Sequence, residues 1–211
     1  MLLGKLYSEN VEEYWNVTTH SVGALLAFFG SIYLISLTYI GAEDFKFASV
    51  LIFSISMMMV YIASSLYHYH WDKPFRNVYR TLDHITIYYL IAGTYTPFLL
   101  ISYPEKEGWR LLLIIWGLSF MGTIFKFCFT DRFYKLSLSF YIFLGCTVFL
   151  DLSTFIESTP ADTMRLIIAG GALYLIGVLF YVWKARFSHT IWHLFVMVAN
   201  ACHYLAVVSI L

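Results

Sequence analysis

Seven apolar stretches occupy nearly the whole of this 211-residue chain. Each is close to the 20 or so residues that a helix needs to cross a hydrocarbon core of about 30 Å. They run from Val17 to Tyr39, Phe47 to Tyr69, Asp83 to Tyr103, Trp109 to Phe129, Tyr134 to Phe155, Thr163 to Trp183 and His189 to Leu211. Few architectures accept this pattern. In lipid an exposed backbone N–H or C=O finds no water, so only helices and closed barrels span, and stretches of this length suit helices. Composition agrees, with 60% hydrophobic and 12% charged residues, against about 45–50% and 25% in soluble domains. The connections are short and lack Pro/Gly/Ser-rich linkers. The expectation is therefore one all-α domain over residues 1–211, a polytopic seven-transmembrane helical bundle. A short N-terminal segment, to about residue 16, precedes span one. That segment, MLLGKLYSENVEEYWN, has three Glu and no basic region ahead of an apolar run, and so reads as no cleavable signal peptide.

The distribution of Lys and Arg among alternate connections sets orientation. One side receives Lys5, Lys73, Arg76, Arg80, Lys126, Arg132, Lys135, Lys184 and Arg186, which makes nine. The other receives Lys46, Lys106, Arg110 and Arg165, which makes four. The expected topology has a cytoplasmic N-terminus and an outside C-terminus. A formal net charge of zero hides this asymmetry.

Topology then brings four polar residues to one depth. His68 ends span two, Asp83 opens span three, and His189 and His193 open span seven from the same side. The last two are spaced i, i+4, which puts both imidazoles on one helix face about 5–6 Å apart at Cβ, a usual arrangement for two ligands of one metal. His68 can supply a third. Three neutral imidazoles with a fourth position open is a catalytic zinc pattern, whereas magnesium and calcium prefer carboxylates. Such a metal lowers the pKa of a bound water towards about 7, and Asp83 could hold that water or take its proton. Ser64, spaced i, i+4 from His68, could place its hydroxyl over the site as a donor.

Blander readings apply to each residue taken singly. A histidine at a membrane interface often does no more than hydrogen-bond a headgroup or a neighbouring helix, and Asp83 could cap its helix. The convergence of four ionisable groups at one depth favours the metal. Helix geometry sorts the other histidines. His70, two residues beyond His68, points to the far side and is assigned to the interface. His84 is turned about 100° from Asp83 and is at most a neighbour of the site. His203 lies about 15 Å further along the axis and cannot share the metal. His20 has the right depth but no partner at ligand spacing, and is placed beside the site.

The motifs Ser64-Ser-Leu-Tyr-His68, Leu82-Asp83-His84, Ile91-Ala-Gly-Thr-Tyr-Thr-Pro-Phe98, His189-Thr-Ile-Trp-His193-Leu-Phe and Ala201-Cys202-His203-Tyr204 resemble those of the hemolysin III family. That family belongs with the progestin and adipoQ receptors, which include the adiponectin receptors. The resemblance covers all seven spans. It implies a multi-pass protein of a bacterial inner membrane, with zinc near the cytoplasmic face held by His68, His189 and His193. Asp83 and Ser64 would stand around that metal. The wider superfamily includes alkaline ceramidases and implies metal-dependent hydrolysis of lipid amide or ester bonds, with a membrane-lipid substrate. A role in membrane-lipid homeostasis is the other implication.

Two further classes stay in view. Zinc could serve as a structural link in a non-enzymatic sensor or signalling scaffold. A haem-binding or proton-conducting bundle would draw on the same histidines, conduction needing His203 and Asp151 to extend a polar chain to the outer leaflet. The remaining features read as structure. Thr19, Gly23, Ala27 and Ser31 form a small-residue stripe for close helix approach within the bundle or between copies. Pro97 should kink span three, and Gly170, Gly171 and Gly177 should pack span six tightly. Trp15, Trp71 and Trp109 suit interfacial anchors. Cys128, Cys146 and Cys202 lie within spans as small apolar groups with no disulfide expected. The sequon at Asn16 reads as chance. Basic residues are scattered over short loops, so no nucleic-acid surface is expected.

Overall fold

The computed structural model describes residues 2–39, 44–129 and 133–211. Arg132, one of the counted loop cations, lies outside them. Every regular element among the described residues is helical: α1 (Leu2–Tyr39), α2 (Asp44–Tyr69), α3 (Arg76–Pro97), α4 (Glu105–Phe129), α5 (Tyr134–Gly145), α6 (Leu152–Ser158), α7 (Ala161–Val182) and α8 (Ser188–Val208). Seven spans are long and apolar enough to cross a membrane, the fifth being α5 and α6 together over Tyr134–Ser158. This is an all-α bundle of the expected kind.

Most helices begin ahead of their apolar windows, and two of them by about two turns or more. The segment before Val17 is continuous with α1, and α3 starts at Arg76. Asp83 therefore lies two turns inside α3 and does not cap it. Lys126, counted above as a loop cation, is instead buried within α4 at 2% exposure and donates to His84 Nδ1 at 3.2 Å.

Irregular backbone inside a bilayer survives only where protein supplies the missing partners. Span five breaks after Gly145 into a 3₁₀ turn, Thr147–Asp151. Tyr95 of α3 serves that break, its hydroxyl donating to Gly145 O at 2.5 Å and accepting from Val148 N–H at 3.2 Å. Pro97 removes an N–H from span three, and α3 ends there by widening into a π turn, Phe98–Ser102. Tyr103 N–H closes that turn on Phe98 O at 3.3 Å. The consequence of Pro97 is thus a change of helix type, a known way of absorbing a disrupted ladder.

Two cores meet at α3. Leu34, Phe53, Val60, Leu90, Val196 and Val207 join α1, α2, α3 and α8. Tyr88, Leu99, Leu111, Ile115, Leu144 and Phe155 join α3, α4 and span five. Large apolar side chains such as Leu26, Phe29, Leu113, Phe120 and Leu179 cover the outside, as a lipid-facing surface requires. Span six is close-packed at two of its three glycines. A Cβ at Gly170 would stand 2.6 Å from His203 Nε2, and one at Gly177 would stand 2.7 Å from Trp192. Gly171 has nothing within 4 Å and belongs to the outer face.

Antiparallel alternation of α1, α2, α3 and α8 brings the stretch of α1 from Glu13 to His20, the last turn of α2 and the first turns of α8 to one end of the first core. The Phe187 backbone just before α8 is left-handed, with φ of 61°, a rare conformation for a bulky residue. Ser188 Oγ donates to Trp183 O across that turn. This corner sets the angle at which His189 and His193 meet α2.

Candidate metal centre

His68, His189 and His193 each offer a ring nitrogen, and the three nitrogens lie within 4.8 Å of one another. Among the described residues this is the group able to hold a metal ion. The Nε2 atoms of His68 and His189 are 3.2 Å apart. Two ligands of a tetrahedral centre with metal–nitrogen bonds of 2.0–2.1 Å would be separated by roughly 3.3 Å. His193 is 1% exposed and His68 3%, whereas His189 is half-buried, so a cation here would be shielded by protein except on the side of His189.

The outer nitrogens decide what the inner ones can do, because a ring N–H given away on one side fixes a lone pair on the other. His68 Nδ1–H donates to Glu13 Oε2 at 2.5 Å, which leaves Nε2 as an acceptor facing inward. His189 must then donate to that lone pair or share a cation with it. Glu13 is held in turn by Arg76, whose guanidinium donates to Oε1 at 3.1 Å. This carboxylate–imidazole arrangement is the usual support of a metal-binding histidine.

His193 Nδ1 stands 3.2 Å from Thr19 Oγ1. The Thr19 hydroxyl donates to the Trp15 carbonyl at 2.9 Å, so it is free to accept from His193 and to turn that ring's Nε2 inward. Asn16 completes the support. Its Nδ2 donates to Glu13 Oε2 and also lies 3.4 Å from His68 Nδ1, while its Oδ1 accepts from Thr190 at 2.6 Å. Asn16 is 3% exposed, buried between spans one and seven.

The remaining candidates fall into separate places. Ser64 of α2 hydrogen-bonds the Asp83 carboxyl of α3, and Asp83 is not among the groups that converge within 4.8 Å. His20 stacks on His193 with ring centroids 3.7 Å apart, and neither of its nitrogens has a hydrogen-bond partner. His70 stacks on Tyr79 and donates to Leu66 O at 2.8 Å, away from the cluster. His84 turns towards α4 and Lys126. His203 donates to Ile167 O at 3.3 Å, in the α7–α8 interface. A cavity of about 190 Å³ lies against the triad, lined by Glu12, Glu13, Asn16, Tyr67, His68 and His189.

Sequence reasoning missed Glu13, Asn16 and Thr19. Glu13 was read as part of a segment outside the membrane, Asn16 as a chance sequon and Thr19 as packing. Their spacing held a usable signal. Glu13, Asn16 and His20 sit at i, i+3 and i+7, one face of a helix that starts before the apolar window.

The fold and the cluster define a multi-pass, seven-span membrane protein with a buried histidine triad able to hold a metal. The sequence profile of the family described as Haemolysin-III related matches residues 8–204, and the chain belongs to that family. It is 39% identical to "Hemolysin-3" of Bacillus cereus, over 93% of this chain and 90% of that protein. It is 36% identical to "Hemolysin-3 homolog" of Bacillus subtilis strain 168, over 93% and 92%. At 28% identity it is similar to "Monocyte to macrophage differentiation factor" of Homo sapiens, over 74% of this chain and 67% of the other.

Proposed function

We propose that this hemolysin III protein is a zinc-dependent hydrolase of lipid amide or ester bonds, acting in membrane-lipid homeostasis. One observation carries the reading: three imidazoles from two spans converge within 4.8 Å, and Glu13 and Thr19 hold the outer nitrogens of two of them. Neutral nitrogen donors of this number suit zinc better than a hard cation. The wider superfamily implied by the motifs supplies the hydrolase chemistry. When bound, zinc acts as a Lewis acid and makes a nucleophile available from water at neutral pH.

The protein's own groups divide the rest of the work. His68, His189 and His193 hold the ion. Glu13 and Thr19 set the tautomers that face it, and Arg76 holds Glu13 in place. Asp83, oriented by Ser64, is the group assigned to take a proton from water and return it to the leaving group. The cavity beside His68 and His189 gives water and a lipid linkage a place against the ion. The charge asymmetry puts this end of the bundle in the cytoplasmic leaflet of a bacterial inner membrane, with the C-terminus outside.

Zinc-loaded protein in lipid bilayers should release fatty acid from labelled ceramides, acyl amides or phospholipids, and Asp83→Asn should lower that rate with zinc retained. A fully loaded protein that leaves every such lipid intact contradicts the enzymatic half. A second reading has its own observation, since the ligands come from spans two and seven while Asn16 ties span one to Thr190. In that reading zinc links helices in a non-enzymatic sensor or scaffold, and folded, zinc-bound Asp83→Asn would keep full function.

A further inference from the structure

The three imidazoles of the centre are not equally enclosed. His193 is fully buried, and the ring of His20 stacks on it at 3.7 Å, backed in turn by Tyr61 at 5.3 Å. His189 is half-buried. The cavity of about 190 Å³ is lined by His68 and His189 but not by His193, so it meets the centre from one side. Among the described residues its other walls are Glu12, Glu13, Asn16 and Tyr67. Thr19, which stands 3.2 Å from His193 Nδ1, marks the level of His193 on α1. Glu12 precedes Thr19 by two turns, about 10 Å along the helix at 1.5 Å per residue, and so lies at the outer end of the cavity.

The walls of this cavity suit a cation that is shedding water. Glu12, Glu13 and Asn16 present oxygen, and His68 and His189 present nitrogen beyond them. A divalent ion needs such partners along its way, because an unpaired charge is strongly disfavoured in apolar surroundings. The oxygens are differently committed. Glu13 gives Oε2 to His68 and Oε1 to Arg76, and Asn16 Oδ1 accepts from Thr190. Glu12 is half-buried and makes no hydrogen bond or ion pair among the described residues. Lys73, Arg76, Arg80, Lys184 and Arg186 stand at the same end of the bundle, a field that repels cations. Glu12 offsets that field where the cavity opens.

We propose that this cavity is the passage through which the centre exchanges its metal with water, Glu12 drawing the cation in, His68 and His189 taking it first and His193 closing on it last. The order follows from placement. An ion arriving through the cavity meets the two lining imidazoles, whose Nε2 atoms are 3.2 Å apart, before the one that lies behind them. The opposite approach is shut by the rings of His20 and Tyr61 packed behind His193. Glu12 is thus a residue of the route and not a ligand. The proposal rests on the reading of the histidine triad as a metal centre.

The test follows metal movement without turnover. The full chain in bilayer discs is stripped of metal and mixed with zinc held on a weak fluorescent indicator, which gives the association rate. Zinc-loaded protein mixed with an excess of a strong fluorescent chelator gives the dissociation rate. Glu12→Trp, which fills the mouth, should slow both rates by about tenfold and leave the dissociation constant within about twofold of the wild type. Glu12→Gln, the smaller change, should lower the association rate roughly threefold and weaken its dependence on salt. His193→Ala should keep the wild-type association rate and lose its affinity through faster dissociation. Leu113→Trp, on the lipid-facing side of span four, should alter neither rate. Wild-type rates in both Glu12 variants, slowing by Leu113→Trp equal to that by Glu12→Trp, or an affinity loss in Glu12→Trp carried by faster dissociation would each overturn the proposal. So would a His193→Ala protein whose association slows in step with its affinity. Tightly held zinc whose exchange ignores Glu12 removes the passage and leaves the centre standing, whereas a wild type that takes up no metal removes both.

Discussion

His193 and His203 stand on one helix, both buried, at 1% and 8% exposure, yet their surroundings differ in kind. Around His193 the rings of His20, His68 and His189 lie within 5.0 Å between centroids, and Thr19 holds its outer nitrogen. Around His203, Nε2 donates to the Ile167 carbonyl, the Tyr174 ring lies 5.7 Å away, Gly170 packs against the ring and Nδ1 has no hydrogen-bond partner. Burial of a histidine in a membrane helix is therefore not the mark of a site. What separates the two is that several donor atoms converge on one point and that outer partners turn them there.

That contrast predicts a graded series. The largest effect is expected for the triad: a chelator should lower the melting temperature of the wild type strongly, since a ligand held at about a thousandfold its dissociation constant contributes about 4 kcal/mol. The same chelator should leave His193→Ala unmoved, and a chelator-sensitive His193→Ala would erase the distinction drawn above. Next come the residues that orient the ligands. Glu13→Gln should weaken metal binding about 10–100-fold, measured by competition with a fluorescent chelator, and Thr19→Val should lie near the lower end of that range. Wild-type affinity in both would reduce the span-one contacts to packing.

The control region should respond in stability alone. His203→Ala is expected to keep full metal affinity and to lose about 1 kcal/mol or somewhat more of bundle stability, the usual scale of a polar contact between membrane helices. The smallest effect belongs to Arg110, whose pairing with Asp151 at 3.1 Å joins an exposed guanidinium to a mostly buried carboxylate. Arg110→Ala should change stability by less than about 1 kcal/mol and metal binding not at all. That pairing also places Asp151 in an ion pair with span four, which argues against its serving a proton path through His203.

The spans were legible because bilayer thickness fixes the length of an apolar run, and the seven windows differ from the helices mainly at their polar ends. Those ends are what hydropathy cannot see. The part of α1 ahead of its apolar window carries Glu13 and Asn16, and the start of α3 carries Arg76 and Arg80, all of which read as loop or interface by composition alone. The same blindness assigned Lys126 to a connection, although it is buried within α4 beside His84. His189 and His193 were legible from i, i+4 spacing, and His68 from its matching depth. The face shared by Glu13, Asn16 and His20 was present in the spacing, but the contacts of Glu13 and Thr19 with the ligands appear only when α1 is placed against α2 and α8. The break in span five was hidden too, since Tyr95 satisfies it from another helix, fifty residues away in sequence.

The most direct test of the central claim is the zinc stoichiometry and affinity of purified wild type, His68→Ala, His189→Ala, His193→Ala and His203→Ala, each checked for intact folding by circular dichroism and gel filtration. The expected result is one tightly held equivalent in wild type and His203→Ala, and a loss of affinity of more than about 100-fold in each triad variant. Folded triad variants that keep one equivalent at wild-type affinity, or a wild type that holds no metal, would contradict it.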